Sequence, residues 1–109
     1  MTIVFCTIRF EGFHRWPDAP DEVAFLRDLH RHIFHVRAEV EVHHDDRDVE
    51  FILLGRRVLA DVKAIMEAKD VSCWSCERWA CELMDRLDLV RCEVSEDGEN
   101  GAVITRGAK

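Results

Sequence analysis

The stretch Leu29-His30-Arg31-His32-Ile33-Phe34-His35-Val36-Arg37-Ala38-Glu39-Val40-Glu41-Val42 decides how the chain is read. Phe34, Val36, Ala38, Val40 and Val42 share one parity, and His35, Arg37, Glu39 and Glu41 share the other. Side chains alternate across a strand, so the pattern predicts a strand with one face in a core. Traced back, the apolar parity passes through His32 and His30. Two imidazoles at i and i+2 of a strand point the same way, here toward the core side.

The flanking segments repeat the alternation. Over residues 2–12, Val4, Cys6, Ile8 and Phe10 oppose Thr7, Arg9 and Glu11, which predicts a first strand. Its apolar parity runs on through Gly12 to His14. Residues 12–21, with Pro17 and Pro20, read as a loop. Asp21 reads as the cap of a short helix through Phe25, Leu26 and Leu29. His43-His44-Asp45-Asp46 reads as a solvated turn, and residues 48–51 as a short strand leading out of it. Phe51, Leu54, Val58, Val62 and Ile65 then recur at helical spacing. Ser75 is the expected N-cap of a second helix, with Cys76, Trp79, Ala80, Leu83, Met84 and Leu87 on its apolar face. Val90, Cys92 and Val94 mark another strand, whose parity reaches Glu96. Residues 97–101 read as a tight turn and residues 102–105 close a last hairpin. This order predicts a single α+β domain over residues 1–109, an antiparallel sheet with helices on one face.

Composition agrees with that class. A chain of 109 residues supports one domain, and 48% hydrophobic with 34% charged residues is the balance of a soluble globular protein. The net charge of -7 argues against nucleic acid as the partner, because phosphate backbones need a basic surface. A small anionic ligand in a local pocket stays open. No apolar run approaches the roughly 20 residues of a membrane span. Residues 1–10 have no basic leader and read as a strand rather than a signal peptide. The odd set of five cysteines is then expected to be reduced thiols in a cytoplasmic protein.

Three histidines and a glutamate therefore fall at strand ends on the core side: His14, His30, His32 and Glu96. Three imidazoles from neighbouring strands make an open zinc site, with a position left for water or substrate. A lone histidine in such a place is more often a hydrogen-bonded core residue. The set of three favours Zn2+ as the cofactor, on ligand count.

The same residues carry a family resemblance. Leu29-His30-Arg31-His32-Ile33-Phe34 resembles the Leu-His-Gly-His-x-Tyr/Phe motif of the 6-pyruvoyl-tetrahydropterin synthase and 6-carboxytetrahydropterin synthase family. Phe10-Glu11-Gly12-Phe13-His14 is similar to its early Phe-x-x-x-His segment, and Val49-Glu50-Phe51 to its Val-x-Asp-Phe. Ser75-Cys76-Glu77-Arg78-Trp79-Ala80 resembles Thr-x-Glu-Asn-Leu-Ala, and Val94-Ser95-Glu96 the late Val-x-Glu segment. Order and spacing agree over about residues 3–105. The resemblance implies a tunnelling fold: an antiparallel four-stranded sheet with two helices packed on one face, assembled into trimers or hexamers. It implies zinc on His14, His30 and His32. It makes Glu96 the anchor for the guanidine-like edge of a pterin, with Glu77 as a second acidic position. The family substrate is dihydroneopterin triphosphate, and zinc polarises its oxygens during proton abstraction and carbon–carbon cleavage, a lyase chemistry.

The catalytic positions depart from that pattern. The family's cysteine, four residues before the first histidine of the motif, is Leu26 here. Its Asp-His pair falls on Met66 and Glu67, and the glycine of His-Gly-His is Arg31. Cys73 or Cys76 are weak candidates to replace the missing thiol. As half of a Cys-x-x-Cys pair they have no second pair, and Cys76 reads as core. Trp74 and Trp79 are expected to pack helix against sheet, and Trp16 either to flank a pocket or to pack its loop. The expected function is a divergent zinc protein of 7-deazaguanine (queuosine) or pterin biosynthesis, acting on or binding a pterin or purine-like ring. The alternatives are a non-catalytic zinc-containing binding module and a purely ring-forming one.

Overall fold

In a computed structural model, the alternation of the first 42 residues resolves into one long hairpin. The structure describes residues 1–107. Strand β1 (Thr2–His14) pairs antiparallel with β2 (His30–Val42) along its whole length. Even positions face even positions, as in Val4↔Val40, Ile8↔Val36 and His14↔His30. Strand β3 (Arg91–Glu96) joins the other side of β2, and β4 (Asn100–Thr105) follows, so the order is β1-β2-β3-β4. The domain is α+β with a four-stranded antiparallel sheet.

Two helices cover the even face. Helix α1 (Phe51–Ala68) lies over β1, and α2 (Cys76–Leu87) over β3 and β4. Phe34, Val36, Ala38, Cys92 and Val94 are buried in one cluster with Leu54, Val58, Val62 and Ile65 of α1 and Trp79, Ala80, Leu83 and Met84 of α2. Each large side chain so buried stabilises the fold by roughly 1.5–3 kcal/mol. Trp79 packs against Phe10 (ring centroids 5.0 Å apart) and Trp74 (4.9 Å), which joins helix to sheet. Among the described residues, the odd face carries no helix. Its one buried carboxylate, Glu39, is held by Arg37 (3.1 Å) and Arg91 (2.5 Å).

Local chemistry sets the element ends. Ser75 caps α2, its Oγ accepting from the Arg78 N–H at 3.1 Å. Asp97 and Gly98 have φ of 58° and 74°, and the Glu99 N–H donates to the Glu96 carbonyl at 3.0 Å. This is the mirror-type turn that matches strand twist. Strand β4 resumes at Asn100, so the turn is shorter than residues 97–101.

Three local expectations are corrected. Residues 48–51 form no strand. Glu50 instead caps α1, accepting from the N–H groups of Ile52 (2.8 Å) and Leu53 (3.0 Å), which satisfies donors that a helix start leaves orphaned. Phe51 is 58% exposed, because the buried series of α1 begins a turn later, at Leu54. Asp21 is not a cap: Pro20 holds that position, and Asp21 lies in the first turn of a 3₁₀ helix (Asp21–Arg27), paired with Arg27 at 2.8 Å. Phe25 and Leu29 are exposed there, and only Leu26 turns partly inward among the expected apolar set. No helix among the described residues is long and apolar enough to cross a membrane.

Gly101 has no room for a side chain. An added Cβ would lie 2.0 Å from the Val94 carbonyl oxygen, which is backbone and cannot step aside. Gly101→Ala is expected to destabilise the fold by about 1–3 kcal/mol, the usual range for overpacking. Urea denaturation checks this; an unchanged midpoint would show that the hairpin can shift.

Candidate metal centre and cleft

The register of β1 on β2 brings three imidazoles together. His14 is paired directly with His30, and Gly12 with His32. His14, His30 and His32 each offer one nitrogen within 4.8 Å of the others, and all three are half-buried. The expected parity is met, since these side chains continue the even face at the loop end of the hairpin, where residues 15–29 connect β1 to β2.

The outer nitrogens decide the tautomers. His30 Nδ1 lies 2.7 Å from the Asp28 carbonyl, and His32 Nδ1 lies 2.8 Å from Asp97 Oδ2. A carbonyl and a carboxylate can only accept, so both Nδ1 atoms carry the proton and donate. His32 Nε2 lies 3.0 Å from Glu96 Oε2. His14 Nδ1 stands 3.3 Å from His30 Nε2. Two donors on one tetrahedral ion with bonds of about 2.0–2.1 Å sit about 3.3 Å apart, so this edge already has the length a zinc would impose. His32 Nε2 is buried and makes no hydrogen bond. A buried polar atom without a hydrogen bond is costly, and a metal ion bound at this nitrogen would remove that cost. Burial holds the His14 imidazole below the usual histidine range; the charges of His30 and His32 add to this and Glu96 opposes it. The three histidines are thus placed so that they could hold a metal ion.

Asp97 was not legible from the sequence as a functional residue. It accepts the His32 Nδ1–H and, at its second oxygen, the Ile33 N–H at 2.9 Å. These two hydrogen bonds keep its carboxyl below the usual range and hence ionised. A carboxylate that orients a ligating imidazole is a known tuning device of metal sites. The sequence signal was the Asp-Gly turn placed directly after Glu96.

A cleft of about 560 Å³ opens beside the cluster, lined among others by His14, Trp16, Cys73, Cys76, Glu77 and Glu96. A larger cleft of about 660 Å³, between β1 and α1, is apolar and holds none of the expected site residues. The smaller one carries the chemistry. Glu96 is half-buried at the end of β3, and Glu77 is exposed in the first turn of α2. Trp16 lines the cleft and is also tied into its loop through backbone bonds, so both roles considered for it are compatible. Arg78 lines the cleft and sits over Trp74, 4.7 Å from the ring centroid.

The other expected positions divide between the cleft and the outer surface. Leu26 forms part of the cleft wall. Met66 and Glu67 are exposed on α1 and line no part of the cleft. Cys76 is buried, and burial, reinforced by Glu96 and Glu77, pushes its thiol up to about 11. It is therefore a poor nucleophile at neutral pH. Cys73 is exposed at the cleft. No family model matches the chain, and no curated protein matches it.

Two measurements check this site. Asp97→Asn is expected to lower metal affinity about 10–100-fold, the usual cost of an outer partner, with little change in folding. Competition with a chromophoric chelator reads it, and equal affinities would remove Asp97 from the site. Iodoacetamide at neutral pH is expected to label the two exposed thiols, Cys73 and Cys81, rapidly and the buried Cys6, Cys76 and Cys92 slowly. Fast labelling of Cys76 by mass spectrometry would restore it as a nucleophile.

Proposed function

We propose that the protein is a zinc-centred, ring-binding member of the tunnelling-fold class, similar to 6-carboxytetrahydropterin synthases but with little or no turnover. The observation that carries this reading is the histidine cluster itself: three inward nitrogens, one of them a buried orphan, opening onto a cleft that holds two carboxylates. His14, His30 and His32 would hold the metal, which when bound acts as a Lewis acid toward a ligand oxygen. Glu77 and Glu96 supply acceptors for an N–H–C–N–H edge, the planar pairing that suits a pterin or guanine-type ring. Trp16 offers a face for stacking.

Binding without efficient conversion is favoured by the missing bases. Leu26 cannot take a proton, and Met66 and Glu67 stand away from the cleft. Losing one general base costs on the order of a hundred- to ten-thousand-fold in rate. Self-association belongs to the same proposal. Strands β1 and β4 are the two unpaired sheet edges, and Phe5 and Phe13 are 46% and 56% exposed on the helix-free face. Open edges and apolar faces are covered most simply by further copies of the chain.

Protein purified without chelator is expected to carry about one zinc per chain, lost in His30→Ala and His32→Ala. Calorimetry should detect binding of a pterin or guanine, while dihydroneopterin triphosphate is converted weakly or not at all. Robust conversion would overturn the binding reading, and metal content unchanged in both histidine variants would overturn the site. Light scattering should give a mass several times 12.7 kDa; a monomer at micromolar concentration would exclude a pocket shared between copies.

A further inference from the structure

The larger cleft, of about 660 Å³, lies between the edge strand β1 and helix α1 and is lined by none of the histidines. Its walls are residues 3–8 of β1 and Phe51, Ile52, Gly55, Arg56 and Leu59 of α1. Six successive strand residues span about 17 Å at about 3.4 Å each, so the cleft is a long slot. The walls are overwhelmingly apolar, and Phe5, Phe51 and Ile52 among them are exposed. The volume is that of a small-ligand site. Arg56 is the one charged side chain in the lining and makes no ion pair among the described residues. Gly55 lies in the interior of α1, where glycine weakens a helix. Packing does not demand it: an added Cβ would meet Ile8 Cγ2 at 3.6 Å and Cys6 Cβ at 3.7 Å, ordinary contact distances. What the glycine provides is open space between helix and strand.

We infer that this slot binds a straight-chain amphipathic anion, with its hydrocarbon chain along β1 and its carboxylate at Arg56. The site is separate from the histidine cluster and independent of the reading given for it. A hydrocarbon chain suits a long apolar slot and takes the exposed surface of Phe51 and Ile52 out of water. A guanidinium without a partner offers a carboxylate two parallel N–H donors. A polar ring would leave its own donors and acceptors unpaired against these walls. The rival occupant is an extended peptide, foreign or from a second copy, because β1 is an open sheet edge. Strand addition depends on a row of main-chain N–H and C=O groups, whereas this lining presents mostly carbon. The apolar walls and the single cation therefore select an acyl carboxylate.

Calorimetric titration of the full chain with hexanoate, octanoate and decanoate, below their micellar concentrations, tests the inference, and methyl NMR locates the ligand. One site per chain is expected, with affinity rising about fourfold per added methylene, the fold-change for burying one CH₂. The methyl resonances of Ile8 and Leu59 should move, and those of Leu26, in the histidine cleft, should not. At low salt, Arg56→Gln should weaken decanoate about 2–5-fold, as suits an exposed ion pair, and leave decanol unchanged. Gly55→Ala should keep the fold and raise its melting temperature while weakening decanoate binding. Gly55→Leu, checked for folding by circular dichroism, should weaken it further. No binding, an affinity flat along the series, or shifts confined to methyls outside the slot would each overturn the inference. Decanoate binding undiminished in both glycine variants would overturn the location. An Arg56→Gln effect that is absent, or equal for decanoate and decanol, would overturn the part given to Arg56.

Discussion

The pairing of β1 with β2 is the constraint on which the rest depends. The two strands match over thirteen residues each, even position to even position. One parity therefore settles both which face meets the helices and where three imidazoles point. A slip of one residue would turn the apolar set to solvent and scatter the histidines with it. Gly12 shows how tightly core and site are joined. A Cβ there would come within 2.9 Å of the Phe34 ring, which stacks on Phe10 and lies edge-on to His32. The missing side chain makes room for the ring that floors the histidine cluster.

Parity was legible in the sequence because period-two alternation persists through residues 2–14 and 30–42, long enough to outweigh local noise. The apolar face of α2 was legible for the same reason at period 3.6, as was Ser75, whose cap is a local hydrogen bond. Residues 48–51 misled because four alternating residues suit either a strand or a helix entry. The orphaned N–H groups of α1 decide in favour of the entry, through Glu50. Asp97 was hidden for a different reason. Its partners, His32 and Ile33, lie more than sixty positions away along the chain, and only the sheet brings them together. The three histidines could be grouped by parity, but the carboxylate that orients one of them could not.

Charge around the site selects cations. Glu77, Glu96 and Asp97 surround it, in a chain with a net charge of -7. At the cleft, Arg78 is engaged with Trp74 and paired with Glu82 at 3.1 Å. A ligand bearing several negative charges would meet repulsion here, with one committed guanidinium to offset it. A neutral ring with N–H donors meets acceptors instead. The local electrostatics thus favour a cation or a neutral N–H donor over a polyanion.

The cleft also limits the chemistry that the proposed site can perform. Moving a proton needs a group that exchanges one near working pH and reaches the reacting atom. Leu26 occupies a wall position with an apolar side chain. The Cys76 thiol is kept protonated by its burial and by two neighbouring carboxylates, the same charges that favour a cation nearby. Arrangements that stabilise a metal therefore work against a thiolate base in this cleft. The histidine cluster thus stands beside a cleft that presents an apolar side chain at Leu26 and a protonated thiol at Cys76.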